Sequence, residues 1–386
     1  MTAQLQKSKL AFIGGGNMAA AIIGGLATKG IDKKNIFVSE PWEVNRNKMS
    51  EIGVRTTQSN IEASQDADLL VIAVKPQVAK AVCQELAGAW AQRSTTPLII
   101  SIAAGITLES LRGWLKLADG RVPHIIRVMP NTPALVGEGA SGLYADESVS
   151  LSEKDLAAAL LASVSKATEW VDREEHIDVV TGLSGSGPAY FFAMVEHLIE
   201  SATNLGLSKG QATRLAKQTC LGAGKMLVES TEEPAQLRRN VTSPNGTTAA
   251  ALESFEASGL KNIVDKAVKA ATNRGEELGK TLGQGDGLRA CCLSFSFFIR
   301  LPQVLQRYFP LITVVPTLAR DAYETVGAER GGGGRVWVDE HNTYGRVHQL
   351  LVSRESDSDR HGRRRFQLML AVFPFEQRVF VRPQAS

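Results

Sequence analysis

At 386 residues the chain is long enough for two ordinary domains and part of a third, at about 100–200 residues each. It is 44% hydrophobic and 22% charged with 35 glycines, which excludes whole-chain disorder, a collagen-like repeat and a coiled coil. The net charge of +3 is local in origin: residues 1–283 hold 29 basic and 30 acidic side chains, residues 284–386 hold 14 arginines, no lysine and 10 acids, so the main body lacks the electrostatic footprint of a nucleic-acid binder.

Four cysteines (Cys83, Cys220, Cys291 and Cys292) show no metal-ligand spacing, which points to a reducing compartment and to no metal site. A short polar lead precedes the first apolar run, and no stretch approaches the roughly 20 apolar residues of a membrane span. A cytoplasmic protein without a membrane partner is expected.

Short apolar runs at Leu10–Ile13, Ile36–Val38, Leu69–Val74 and Leu98–Ile102 alternate with amphipathic helical stretches. Continuous apolar strands at this spacing predict a parallel sheet buried on both faces, the doubly wound α/β class, over residues 8–172. After the first run, Gly14-Gly15-Gly16-Asn17-Met18-Ala19 opens a helix and satisfies the Gly-x-Gly-x-x-Gly/Ala fingerprint of a Rossmann dinucleotide site. Gly14 permits the tight turn, Gly16 lets the backbone approach a pyrophosphate, and Ala19 permits close helix packing, with Ile13 and Met18 bordering the site.

The second strand ends in Val38-Ser39-Glu40-Pro41-Trp42. An acid here hydrogen-bonds the ribose 2′-hydroxyl of NAD and repels the 2′-phosphate of NADP, while Arg46 is near enough in sequence to offset it. Glu40 pointing to solvent is the plainer alternative. The turns Ala73-Val74-Lys75-Pro76 and Ile102-Ala103-Ala104-Gly105 lie at carboxyl ends of strands, where such sheets bind ligands, and their small residues leave room for nicotinamide. Lys75 is either a base, a phosphate partner or a surface lysine before a turn proline.

Beyond Asp172 helical patterns take over at Pro188–Leu205, Ser208–Ser230, Thr247–Ser258 and Leu260–Leu282, giving an all-helical domain over residues 173–283. Ser186 is placed to cap the first of them, with Pro188 in its first turn. That helix is apolar around most of its circumference (Tyr190, Phe191, Phe192, Met194, Val195, Leu198, Ile199), so burial against a second copy is expected and the protein reads as a homo-oligomer, a dimer or an assembly of dimers.

The loop Val241-Thr242-Ser243-Pro244-Asn245-Gly246-Thr247-Thr248 precedes an alanine-rich helix start and suits a carboxylate. It reads equally well as a helix cap in which Ser243 and the threonines satisfy local backbone. From Gly283 onward the text changes: eight of the thirteen phenylalanines appear, and Gly331–Gly334 and Arg363–Arg365 form runs without helical period. This tail, 284–386, is unassigned: a loosely ordered extension, residues read in a shifted frame or, least expected, a fused domain.

Six ordered blocks carry a family resemblance over about residues 8–283: Phe12–Met18, Ala73–Pro76, Ser101–Gly105, Arg127-Val128-Met129-Pro130-Asn131-Thr132-Pro133-Ala134, Gly185-Ser186-Gly187-Pro188-Ala189-Tyr190 and Ser243–Thr248. With them the sequence resembles pyrroline-5-carboxylate reductase. The resemblance implies reduction of L-1-pyrroline-5-carboxylate, a small-molecule substrate, to L-proline at the end of proline biosynthesis. It implies that Ser243, Asn245, Gly246, Thr247 and Thr248 hold the substrate, that Asn60 and Ala73–Pro76 touch the cofactor, and that the helical domain serves dimerisation. NADPH is expected, with NADH as the alternative. Asn245 replaces a glycine more usual in the family's loop, and Asn tolerates left-handed backbone angles. The Gly246–Thr248 N–H groups are expected to fix the carboxylate, and the Thr248 hydroxyl to meet the ring nitrogen as the catalytic contact.

Two other readings stand beside this one. Gly182, Gly185 and Gly187 match the start of the catalytic helix of β-hydroxyacid dehydrogenases, but Phe191 and Val195 occupy that group's lysine and asparagine positions. A non-catalytic dinucleotide sensor would keep the fold but has no use for a carboxylate cradle. His124, His176 and His197 fall in no motif and read as structural, His197 as a core or interface residue.

Overall fold

The computed structural model describes residues 2–283, 347–353 and 367–375, and the chain divides into two compact units, Met1–Leu293 and Ser294–Ser386. In the first, α1 (Ala3–Lys7) leads into β1 (Leu10–Ile13), followed by α2 (Asn17–Thr28), β2 (Ile36–Ser39), α3 (Glu43–Ile52), β3 (Arg55–Thr57) and α4 (Asn60–Ser64). The chain continues through β4 (Leu69–Ile72), α5 (Pro76–Ala89), β5 (Leu98–Ser101), α6 (Leu108–Trp114), β6 (Ile125–Met129), β7 (Gly139–Ala145), α7 (Leu151–Leu161) and β8 (Ser165–Trp170).

These strands form one sheet in the order β3-β2-β1-β4-β5-β6-β7-β8. The first six are parallel, β7 runs antiparallel to β6, and β8 is parallel to β7. The chain builds outward from β1 to β3 and then returns to place β4 on the other side of β1. A crevice opens at the carboxyl ends of strands at such a switch point, where open sheets bind ligands.

Both faces of the sheet are covered. Leu10 and Phe12 pack with Ile22, Ile23 and Leu26 of α2, while Ala11 and Ile13 pack on the other face with Ile72, Cys83 and Leu86. Every residue of β1, β4 and β5 is therefore buried. Each such Leu, Ile or Phe contributes about 1.5–3 kcal/mol, which explains continuous apolar runs in place of alternation. Burial pushes the Cys83 thiol up to about 12, so it packs as a small neutral hydrophobe and is no nucleophile.

The strand ends differ slightly from expectation. β4 stops at Ile72 and β5 at Ser101, so Ala73, Val74 and Ile102 lie in the turns that follow. β3, β6, β7 and β8 extend the sheet beyond the four runs read from sequence. β8 lies at one edge with Lys166 and Glu169 exposed, and an edge strand carries polar residues without loss.

The helical part comprises α8 (His176–Val180), a π-helical turn at Thr181–Gly185, α9 (Gly187–Asn204), α10 (Lys209–Glu229), α11 (Pro234–Asn240), α12 (Thr247–Ala257) and α13 (Leu260–Gly283). Ser186 does not cap α9: its backbone is helical, and its N–H bonds the Thr181 carbonyl at 2.8 Å. The π turn feeds directly into α9 and leaves no free helix start there. α10 does begin with a capping box, between Ser208 and Gln211.

α13 folds back onto the turn after β5. A Cβ on Gly279 would lie 2.8 Å from the Gly105 carbonyl oxygen, and Gly105 itself holds φ +76°, so backbone meets backbone at this joint. α9 presents Phe191 and Phe192 at 63% and 68% exposure, and Phe192, Val195, Ile199, Cys220 and Leu221 line an open groove between α9 and α10. Among the described residues no helix is long and apolar enough to cross a membrane.

The second unit contains β9 (Val347–Ser353) paired antiparallel with β10 (Gln367–Phe375), Leu350 opposite Leu370. The tail left unassigned from sequence thus includes a two-stranded sheet; its glycine and arginine runs lie outside the described residues.

Candidate functional site

The glycine turn is fixed by the ends of three neighbouring strands. Gly14 N–H donates to the Ser39 carbonyl at 2.8 Å, and Ala73 N–H to the Ile13 carbonyl at 2.8 Å. Gly14 holds φ +102°, and a Cβ there would lie 2.7 Å from the Ala73 oxygen, so no other residue fits. Gly16 differs: a Cβ on it would meet nothing within 4 Å. It stands at the start of α2 with no side-chain cap, and the N–H groups of Gly16, Asn17 and Met18 make no hydrogen bond among the described residues. Open space before an uncapped helix N-terminus, where the positive end of the dipole and free donors converge, fits a pyrophosphate.

Glu40 decides against the solvent-facing alternative. It is buried, its Oε2 accepts the Gly15 N–H at 2.7 Å and its Oε1 the Trp42 N–H at 2.9 Å. Both oxygens accept backbone N–H groups, so the carboxylate clamps the glycine turn to the end of β2 and does not point to solvent. Gly15 N–H is likewise taken and is no phosphate donor. Arg46 folds back from α3, its Nη1 donating to the carbonyls of Glu40 at 3.0 Å and Pro41 at 2.9 Å. Asn60 braces the same strand end: its Oδ1 accepts the Ser39 hydroxyl at 2.7 Å, and its Nδ2 donates to Glu85 at 2.7 Å.

The remaining predicted cofactor residues gather around this crevice. Ala73, Val74 and Pro76 are half-buried, and exposed Lys75 precedes α5 with Pro76 in its first turn. Ala103 is buried and Ala104 half-buried after β5. Met18 is half-buried at the start of α2, whereas the Ile13 side chain is fully buried in the core, which leaves only its backbone at the crevice.

Asn131, quoted in a motif but given no role, and Tyr190, counted with the apolar circumference of its helix, both make bonds that hold the fold. Asn131 Nδ2 donates to the Ser184 carbonyl at 3.1 Å while its Oδ1 accepts the Ala140 N–H at 2.9 Å. The Tyr190 hydroxyl donates to the Gly182 carbonyl at 2.8 Å. The π turn, whose wider spacing disturbs the regular helical bonding, is therefore held from the sheet by Asn131 and from α9 by Tyr190. Buried Arg127 pairs with Glu174, which also accepts the Leu108 N–H at 2.6 Å. A polar side chain inside an otherwise apolar strand, as Arg127 is in β6, was the available signal.

In the second predicted site, Gly246 N–H closes a turn on the Ser243 carbonyl at 3.0 Å. Asn245 takes φ +57°, the left-handed region that its side chain tolerates. Gly246 N–H is thus not free for a carboxylate, which corrects that part of the expectation; the Thr247 and Thr248 N–H groups make no hydrogen bond among the described residues. α12 has no side-chain cap, so the hydroxyls of Ser243, Thr247 and Thr248 do not serve as one. Thr248 is half-buried, and the Ser243, Asn245 and Thr247 side chains are exposed. Among the described residues no hydrogen bond joins this loop to the glycine turn of its own chain.

The histidines stand apart: His124 pairs with Glu153 at 2.7 Å, His176 with Arg173 at 2.9 Å, and exposed His197 lies 3.8 Å from Glu200. His197 is not a core residue of the single chain.

Residues 174–278 match the family model for pyrroline-5-carboxylate reductase dimerisation, and residues 9–105 that for coenzyme F420-dependent NADP oxidoreductase. The chain is 49% identical to a pyrroline-5-carboxylate reductase of Pseudomonas aeruginosa over 277 residues, 72% of this chain and 98% of that protein. The solved pyrroline-5-carboxylate reductase of Coxiella burnetii is 42% identical with a TM-score of 0.66, the match covering 71% of this chain and 99% of that one. A Plasmodium falciparum pyrroline carboxylate reductase with NADP bound is 31% identical with a TM-score of 0.62, over 71% and 99% of the two chains.

Proposed function

The chain belongs to the pyrroline-5-carboxylate reductase family, and from that premise we propose which of its residues carry the reaction. The reaction is the reduction of L-1-pyrroline-5-carboxylate to L-proline with NAD(P)H, the final step of proline biosynthesis. One observation above all carries the site assignment: the open space at Gly16 before the uncapped start of α2. There the Gly16, Asn17 and Met18 N–H groups hold the pyrophosphate, and the Ala73–Pro76 and Ala103–Ala104 turns line the crevice beyond it.

The reduced nicotinamide supplies a hydride to the carbon of the C=N bond. The loop supplies binding and alignment. The Thr247 and Thr248 N–H groups and the Ser243 hydroxyl donate to the substrate carboxylate, and the Thr248 hydroxyl oxygen accepts the N–H of the protonated ring nitrogen. That contact keeps the proton on nitrogen, so the imine carbon stays electrophilic and the product leaves as the amine. Holding two reactants in register lowers the barrier by about 7–11 kcal/mol relative to free encounter; no covalent nucleophile is needed.

The protein is a homo-oligomer acting on a small molecule. We infer further that it is built from dimers in which the 243–248 loop of one protomer faces the glycine turn of its partner. The stretch matching the dimerisation family contains that loop, and the exposed phenylalanines of α9 supply an apolar face. Residues 8–172 form the dinucleotide-binding part and 173–283 the substrate and oligomerisation part, a division of function: α13 packs against the β5 turn within one compact unit. The free thiols Cys83 and Cys220 suit a reducing cytoplasm.

Following NADPH absorbance on addition of pyrroline-5-carboxylate tests the assignment. Consumption of NADPH with formation of proline is expected; no consumption of either NADPH or NADH would leave the sensor reading in its place.

A further inference from the structure

We propose that Arg46 sets the cofactor preference of this enzyme by receiving the 2′-phosphate of NADPH, a role that the inward turn of Glu40 makes available. The proposal rests on the dinucleotide site assigned above. An acid at the end of the second strand selects NAD when it hydrogen-bonds the ribose 2′-hydroxyl and repels a phosphate there. Here both oxygens of Glu40 accept backbone N–H groups, from Gly15 and Trp42. The residue type that would favour NADH is present, but its carboxylate is engaged in holding the turn.

Arg46 is a cation held at this strand end. Its Nη1 is anchored by two carbonyls on consecutive residues, Glu40 and Pro41, which fixes the guanidinium plane without neutralising it. A guanidinium has five N–H donors; the Nε and Nη2 donors of Arg46 make no hydrogen bond, and no carboxylate lies within 4.0 Å of it, among the described residues. A half-buried arginine held in place with one edge of its fork free matches a phosphate by charge and by geometry.

A brace for the 40–41 turn would explain the Nη1 bonds alone, and binding separates the two roles. Titration calorimetry of the full-length protein with adenosine 2′,5′-bisphosphate and with AMP reads the adenosine end without turnover. Arg46→Gln is expected to weaken the bisphosphate about tenfold to a hundredfold, in keeping with the loss of charge-assisted bonds, and to leave AMP unchanged. KM for NADPH should rise by a similar factor and KM for NADH stay constant. Equal weakening of both nucleotides, or none of either, overturns the proposal. Glu40→Gln should weaken both nucleotides by the same factor; selective loss of AMP and NADH would show that Glu40 holds the ribose and also overturns it. A protein that shows the expected nucleotide pattern yet reduces no pyrroline-5-carboxylate would refute the assigned reaction and leave the role of Arg46 intact.

Discussion

Asn131 reaches from the end of β6 to the carbonyl of Ser184, 53 residues later, and donates to it at 3.1 Å. With its oxygen on the Ala140 N–H, one buried amide fastens the π turn to the sheet. Asn131→Ala removes both bonds and leaves a backbone donor and acceptor without partners, at a cost of about 1–3 kcal/mol each. The expected result is a melting temperature lower by several degrees in scanning calorimetry, at about 2–4 °C per kcal/mol for a domain of this size. Asn131→Ser should recover little, because serine is too short to reach both partners. An unchanged Tm for Asn131→Ala would show that the π turn stands without it.

Thr248→Ala should lower kcat/KM for pyrroline-5-carboxylate about tenfold to a hundredfold, the loss expected when a hydrogen bond to a charged group disappears. Thr248→Ser should keep most of the activity, since the hydroxyl is what acts, and NADPH affinity should not move in either variant. Steady-state kinetics with NADPH titration separates these quantities, and an unchanged kcat/KM for the alanine variant rejects the assigned contact.

Phe191→Glu combined with Phe192→Glu should break the assembly. In the single chain the two rings are 63% and 68% exposed, so a charge there harms the isolated fold little but is severely disfavoured inside an apolar interface. Sedimentation velocity should show a smaller species, and activity should fall with it if each site needs a loop from its partner. Full activity in a monomer would refute the shared site.

Asp178 gives a pH-dependent prediction. Burial raises its carboxyl above the ordinary aspartate value, and the nearby Glu276, Glu174 and Glu175 push in the same direction against Arg127. A raised folded-state value contributes stability at low pH that is lost as pH climbs through that value. Asp178→Asn cannot ionise, so its Tm advantage over the parent should be smallest in acid, grow as pH rises through the carboxylate range, and level off towards neutrality. Melting curves at a series of pH values check the slope; a constant difference would mean that the carboxyl does not titrate as its surroundings dictate.

The parallel sheet was legible because residues buried on both faces leave an unbroken apolar signature, as in Leu10–Ile13 and Leu69–Ile72. β3 and β8 lacked it because they lie at the two edges, and β7 because three of its seven residues are Gly, Ser and Gly at 139, 141 and 142. At the site, spacing located Gly14, Gly16 and the 243–248 loop, but hydrogen-bond direction is a property of the folded backbone. The sequence puts an acid at Glu40 and an amide at Gly246 and does not say that the first turns toward Gly15 or that the second closes on Ser243. Nor does it mark the π turn, since a wider helical spacing uses the same residue types as the ordinary one.

The meeting of Gly279 with Gly105 also limits how the molecule can move. Side chains between two elements act as bearings that slide or re-seat; where these two glycine backbones meet, with Leu278 and Thr107 beside them, there is little room to do so. A twist of the last long helix must therefore be felt at the rim of the nucleotide cleft.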